Sequence, residues 1–175
     1  MLCIPMTIVF AFFQSTAPAI KLISPAFDGG KPIPTKYANT GIRGGHNSSP
    51  PIKWSNPPAE TKSFVVTMID LHPIAGNWLH WCIINIPRHV TILPESLSTI
   101  TLPPGAKELY NSFGTLGYGG PQPPKGSGPH TYEITVYALS EDSLGVSANA
   151  TLKGIRKALE GKVLAQGRLL GTYEQ

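Results

Sequence analysis

A period of two runs through residues 130–138. His130, Tyr132, Ile134, Val136 and Ala138 fall on one side of an extended chain, with Thr131, Glu133 and Thr135 on the other, the signature of a half-buried strand. This run emerges from a loop that holds Pro121, Pro123, Pro124, Gly126, Gly128 and Pro129. Proline fixes φ and removes a backbone donor while glycine admits positive φ, so such a loop takes one irregular path with little entropy left to lose on binding. The chain must therefore build a sheet, and it delivers a histidine and a tyrosine to the inward face at one sheet end. A function is to be sought at that mouth.

A second segment offers partners. Ser63 to Asp70 reads as a strand ending in an acid, Leu71 to Asn77 as a turn, and Trp78 to Pro87 as the next strand. Strict alternation puts His80 on the face of Trp78, Cys82, Ile84 and Ile86, and sets Trp78 and Trp81 on opposite faces. Asp70, His72, His80, His130 and Tyr132 thus stand at strand ends or beside loops in an apolar frame, as expected of a small site with a few convergent polar groups. Periodicity leaves open whether the two segments meet.

The rest of the chain is consistent with a loop-rich β protein. It has 175 residues, 18 glycines and 18 prolines, and only 14% charged residues, which suits one domain with a sizeable core. Strands are expected near 19–24, 63–70, 78–86 and 131–139, with shorter extended pieces at 33–38, 52–54, 90–93 and 166–172. A helix is expected over 150–160, with Asn149 as N-cap and Gly161 as stop. Residues 94–118 read as a long irregular connection, placed to wall one side of a pocket. The net charge of +4 is scattered, and its one concentration reads as a solvated helix face, so no nucleic-acid partner is expected. Cys3 and Cys82 supply no disulfide framework, and Cys82 reads as a small packed hydrophobe. Residues 1–18 form an apolar N-terminal extension, too short to span a bilayer, ahead of a single domain over 19–175. The expectation is a soluble, cytoplasmic protein without transmembrane insertion, with a cleavable signal at residues 1–19 left open.

Taken together, Ser24-Pro25-Ala26-Phe27, Asn47 to Trp54, Asp70 to Trp81, the loop with His130 and Tyr132, Val136 to Leu139, Val163-Leu164-Ala165 and Gly171-Thr172-Tyr173 resemble the phosphatidylethanolamine-binding protein family. The closer resemblance is to its bacterial branch of Raf-kinase-inhibitor-like proteins. It implies a mainly β fold, an antiparallel β-sandwich with a short C-terminal helix, and a small anion pocket for phosphate-like groups such as phospholipid headgroups. It also implies pocket roles for Asp70, Trp78, His80, His130 and Tyr132. Two positions depart from the family's pattern. The second acid of its Asp-Pro-Asp-Ala-Pro segment falls on His72, with Pro73 in the final proline's place, and Thr131 stands where arginine is usual.

The expected protein is a binding or regulatory module rather than an enzyme, without a cofactor. His80 and His130 donate to the anion, Tyr132 adds a hydrogen bond, Asp70 orients a histidine, and Trp78 and Pro73 shape the wall. Replacing an acid by His72 removes a repulsive charge, and histidine titration makes binding strengthen on mild acidification. Two rivals use the same residues. One is a His/Asp metal site built from Asp70, His72, His80 and His130, and the other is a phosphate-ester hydrolase. No Gly-x-Ser-x-Gly elbow or Walker loop supports nucleophilic or nucleotide chemistry. A kinase-like protein partner is implied by the resemblance alone, and a homodimer is left open.

Overall fold

The computed structural model describes residues 19–99 and 101–175, so the readings of residues 1–18, Cys3 among them, lie outside the described residues. Within these, the strands are β1 (Lys21–Ile23), β2 (Ile52–Ser55), β3 (Ser63–Asp70), β4 (Trp78–Pro87), β5 (Ile92–Leu93), β6 (Lys107–Glu108), β7 (His130–Leu139) and β8 (Val163–Tyr173), with helix α1 (Leu152–Leu159) before β8. They form two antiparallel sheets, ordered β1-β2-β5 and β6-β4-β3-β7-β8. The result is the β-sandwich with a short C-terminal helix that the sequence implies.

The central strand β3 is buried at all of its positions, because both of its faces are covered. Phe64, Val66 and Met68 pack between the sheets with Ile52 and Trp54 of β2 and with Ile134 and Val136 of β7. Val65 and Ile69 belong to a second core, closed by Ile155 and Leu159 of α1. Such a strand reads as a continuous apolar run rather than an alternation. Burying each large side chain contributes about 1.5–3 kcal/mol.

Several expected elements shift. Residues 33–38 are not a strand, since Thr35–Tyr37 forms a 3-10 turn that buries Tyr37. Strand β8 is longer than the piece at 166–172 and pairs with β7 from Leu139↔Val163 to His130↔Tyr173. Its glycines weaken the strand signal, yet a Cβ at Gly167 would lie 2.4 Å from the carbonyl oxygen of Ile20, so close packing requires the glycine. Thr151, not Asn149, caps α1, its Oγ1 accepting from the N–H of Gly154 at 3.2 Å. Gly161 follows the helix with φ +73°, as a stop residue should. The connection over 94–118 contains the short β6, which pairs with the edge of β4.

Candidate functional site

The register of β3 against β7 builds the first half of the site. Asp70 pairs with Tyr132, and the N–H of Leu71 donates to the carbonyl of Thr131 at 2.8 Å, so the pairing continues past the end of β3. Two residues on from Asp70, on the same face, His72 therefore meets His130, and their rings stack with centroids 3.9 Å apart and planes at 14°. Asp70 Oδ1 accepts from the His72 N–H at 2.8 Å. Asp70 Oδ2 lies 2.6 Å from His130 Nδ1, and because a carboxylate only accepts, that nitrogen carries a proton. Both side chains are buried.

His80 arrives by a bulge. Met68 pairs with Trp81 but Ile69 pairs with Leu79, so His80 is the extra residue and alternation breaks there. Cys82 and Ile84 pack under α1, whereas His80 turns its ring edge-on to Tyr132, centroids 5.1 Å apart. The expected common face of His80, Cys82 and Ile84 is thus corrected by the bulge. Farther along β4, the register shifts again opposite the stretch between Phe64 and Val66. There Asn85 has φ +59°, and Ile86 joins the core between the sheets.

His80 Nδ1 lies 2.6 Å from the carbonyl of Gly119, and the Gly119 N–H returns to the His80 carbonyl at 2.8 Å. A carbonyl only accepts, so Nδ1 holds the proton and Nε2 is left with a lone pair. Burial lowers the His80 pKa below the usual histidine value, opposed by the Gly119 carbonyl and the Asp70 charge. The ring is neutral at neutral pH, and in this tautomer Nε2 is an acceptor. The wholly buried Tyr132 is the converse case. Burial, then the charge of Asp70, pushes its pKa up, and its hydroxyl has no partner in hydrogen-bonding geometry among the described residues. The Asp70 carboxylate, which also raises this pKa through a side-chain interaction with the phenol, lies outside hydrogen-bonding geometry.

These groups face a cavity of about 240 Å³. Asp70, Trp78, His80, His130 and Tyr132 line it, together with Ile74 and Ala75 of the turn, Phe113 of the long connection, and Gln122, Pro123 and Pro124 of the Pro/Gly loop. His72 stacks on His130 and Pro73 opens the 3-10 turn Pro73–Ala75; neither is among the lining side chains. The wall expected of Pro73 is made by its neighbours, because the turn carries Ile74 and Ala75 round to the mouth. Trp78, Phe113, His80 and Tyr132 form a chain of edge-to-face contacts, with centroids 5.4, 5.5 and 5.1 Å apart in that order, a favoured aromatic geometry. Phe113 could be reached from sequence only as part of the connection expected to wall the pocket.

The Pro/Gly loop is tied down at its root. The Gly120 N–H donates to Asn47 Oδ1 at 2.6 Å, and the Asn39 N–H donates to the Pro121 carbonyl at 3.1 Å. A Cβ on Gly120 would sit 2.3 Å from the Tyr37 carbonyl, so no larger residue fits there without displacing the loop. At its far end Ser127 Oγ lies 2.9 Å from His130 Nε2 and 2.7 Å from the Pro124 carbonyl. Nothing in the sequence pattern marks this serine. Burial pushes the Cys82 thiol up to about 12, so it packs as a hydrophobe and is no nucleophile. Among the described residues no group of three or more His, Cys, Asp or Glu could hold a metal ion, and no helix is long and apolar enough to cross a membrane. A larger groove of about 380 Å³ beside β1 and β8 contains no buried titratable side chain.

The phosphatidylethanolamine-binding protein family description matches residues 23–174. A UPF0098 protein of Aquifex aeolicus is 36% identical over 166 residues, covering 95% of each chain. The UPF0098 protein YbcL of Escherichia coli is 34% identical over 179 residues, covering 99% of this chain and 97% of YbcL. The crystal structure of YbcL, described as a new member of the mammalian PEBP family, superposes with a TM-score of 0.83 over 90% of this chain and 99% of that one. That of a putative phosphatidylethanolamine-binding protein homolog, CT736 from Chlamydia trachomatis, is 33% identical with a TM-score of 0.76, covering 90% of this chain and 98% of CT736. With the family match running over residues 23–174 and the fold agreeing with that of relatives about one-third identical, the chain belongs to the phosphatidylethanolamine-binding protein family.

Proposed function

We propose that this chain is a binding module whose pocket takes a small anionic, phosphate-like group, such as a phospholipid headgroup or a phosphorylated ligand, and that occupancy regulates a protein partner of the kinase type. The observation that carries the pocket reading is the Tyr132 hydroxyl, buried and without a partner in hydrogen-bonding geometry among the described residues, beside His80 and His130 at the cavity. An unsatisfied buried donor costs about 1–3 kcal/mol, and a ligand oxygen recovers it. His80 Nε2 fits the same ligand differently: it accepts the remaining proton of a monoprotonated phosphate, or takes one from solvent as the anion arrives. Asp70 is held by its hydrogen bond with His130 Nδ1, and Trp78 and Phe113 supply an apolar wall for the ligand's carbon portion. The family's name supports the headgroup, and the family resemblance alone supports the kinase-like partner.

The test is calorimetric titration of inorganic phosphate and O-phosphorylethanolamine into metal-free protein and its His130→Ala variant at pH 6 and pH 8. The expected result is tighter binding at pH 6, with a heat that varies with the buffer's ionisation enthalpy because His80 takes up a proton. His130→Ala, which leaves the Asp70 carboxylate unpaired near the anion, binds more weakly. Failure of both anions to bind, or equal affinity at the two pH values, overturns the proposal.

A further inference from the structure

We propose that Ser127, His130 and Asp70 form an acyl-transfer triad, with Ser127 as nucleophile toward small carboxylic esters. This goes beyond the binding reading and does not rest on it. The three side chains stand in relay: Ser127 Oγ is 2.9 Å from His130 Nε2, and His130 Nδ1 is 2.6 Å from Asp70 Oδ2. These are the contacts by which a base activates a hydroxyl and an acid holds the base in its tautomer. With Nδ1–H committed to Asp70, a neutral His130 presents its lone pair to the serine.

The hydroxyl has one proton and two acceptors, the Pro124 carbonyl at 2.7 Å and His130 Nε2. A rotation about the Cβ–Oγ bond moves it from one to the other. The ring cannot swing away, because it is stacked on His72 at 3.9 Å and its acid is held by the His72 N–H.

The approach to Ser127 is open. Gly126 and Gly128 flank it with φ +76° and +80°, and a Cβ built on either meets nothing within 4 Å. The N–H of Gly128, the residue after the nucleophile, makes no hydrogen bond among the described residues. That is the position from which a nucleophile's neighbour donates to an oxyanion. Pro123 and Pro124 line the adjoining cavity together with His130 and offer an apolar seat for a short acyl chain.

In the reaction Oγ attacks the ester carbonyl carbon, its proton passes to Nε2, and the carbonyl electrons go to oxygen. The tetrahedral adduct collapses, and the leaving alkoxide takes the proton from Nε2 and departs as alcohol. Water, deprotonated by His130, then attacks the acyl-serine and releases the carboxylic acid, restoring Ser127. The sum is ester plus water giving acid plus alcohol.

The test uses the full chain with an alkyl fluorophosphonate and with p-nitrophenyl butyrate. Because free imidazole also cleaves activated esters, the deciding readout is the site of the covalent adduct, found by intact mass and peptide mapping. One adduct per chain at Ser127 is expected, with none in Ser127→Ala, a substitution in a half-exposed loop, whose melting curve reports folding. Asp70, a positioning residue, is tested by Asp70→Asn: labelling slows by at least about 100-fold, and the loss for the butyrate ester falls in kcat rather than KM. An unlabelled wild type, an adduct elsewhere, or labelling that persists in Ser127→Ala overturns the triad. Phosphate titration of the same preparation reads the anion pocket separately.

Discussion

His80 and Tyr132 are held in their neutral forms by the same burial, and each makes a prediction of its own. In the unfolded chain a histidine titrates near 6.5, whereas in the fold burial lowers the His80 value. Above pH 6.5 both states are neutral at this residue and it adds no pH dependence. Below it the unfolded chain gains the proton first, so stability falls as the pH drops toward the folded value. In His80→Gln the loss of melting temperature between pH 7.5 and pH 5.5 should be smaller than in wild type; equal slopes would show that His80 is not the group responsible. For Tyr132→Phe the expectation has two signs. Removing an orphaned buried hydroxyl leaves thermal stability unchanged or raised, while phosphate affinity falls about 10-fold, the loss of one ordinary hydrogen bond. Melting and calorimetry on one preparation check both. Parity along β7 made the inward placement of His130 and Tyr132 at a strand end legible, and Asp70 was legible as the end of β3, but that the two segments meet is shown only by their pairing, Asp70 opposite Tyr132. His80 was legible as a residue but not in its face, since a bulge is a property of pairing and not of a single strand. Ser127 carried no signal, because its contact with His130, 3 residues on, and that histidine's contact with Asp70, 60 residues away, are made only in the folded chain.

At the scale of elements, α1 is a weak helix with an identifiable start. Thr151 Oγ1 accepts from the Gly154 N–H, while Asn149, which the sequence pattern favours as cap, lies two residues too early. Thr151→Ala should cost about 0.5–2 kcal/mol and Asn149→Ala close to nothing, measured by urea denaturation; the reverse order would return the cap to Asn149. Strand β8 was read over 166–172, both glycines included, and the structure extends it to Val163 and Tyr173. Its reality rests on what crosses it: the Ile20 carbonyl at Gly167, and Phe27 and Ile33 at Gly171, where any side chain would collide. The 3-10 turn at Thr35–Tyr37 was read as extended because three residues carry too little period to separate the two.

Across the whole molecule, the five-stranded sheet divides two cores that do different work. One lies between the sheets and ends at the pocket, where Tyr132 belongs to it; the other lies under α1 around Ile155. Ile155→Ala should therefore destabilise the protein by about 2–5 kcal/mol through a cavity while leaving phosphate affinity unchanged in the folded fraction. Chemical denaturation and titration at low denaturant together check this, and a parallel loss of affinity would show that the two cores are coupled. Composition, strand periods and Pro/Gly punctuation determined a loop-rich β domain, its long strands and the inward placement of His130 and Tyr132, because burial on a pleated face writes itself into every second residue. Tertiary structure alone decided which wall residues close the pocket, how His80 enters it, and that Ser127 meets His130, because bulges, pairing register and loop closure are set by contacts between segments distant in the chain.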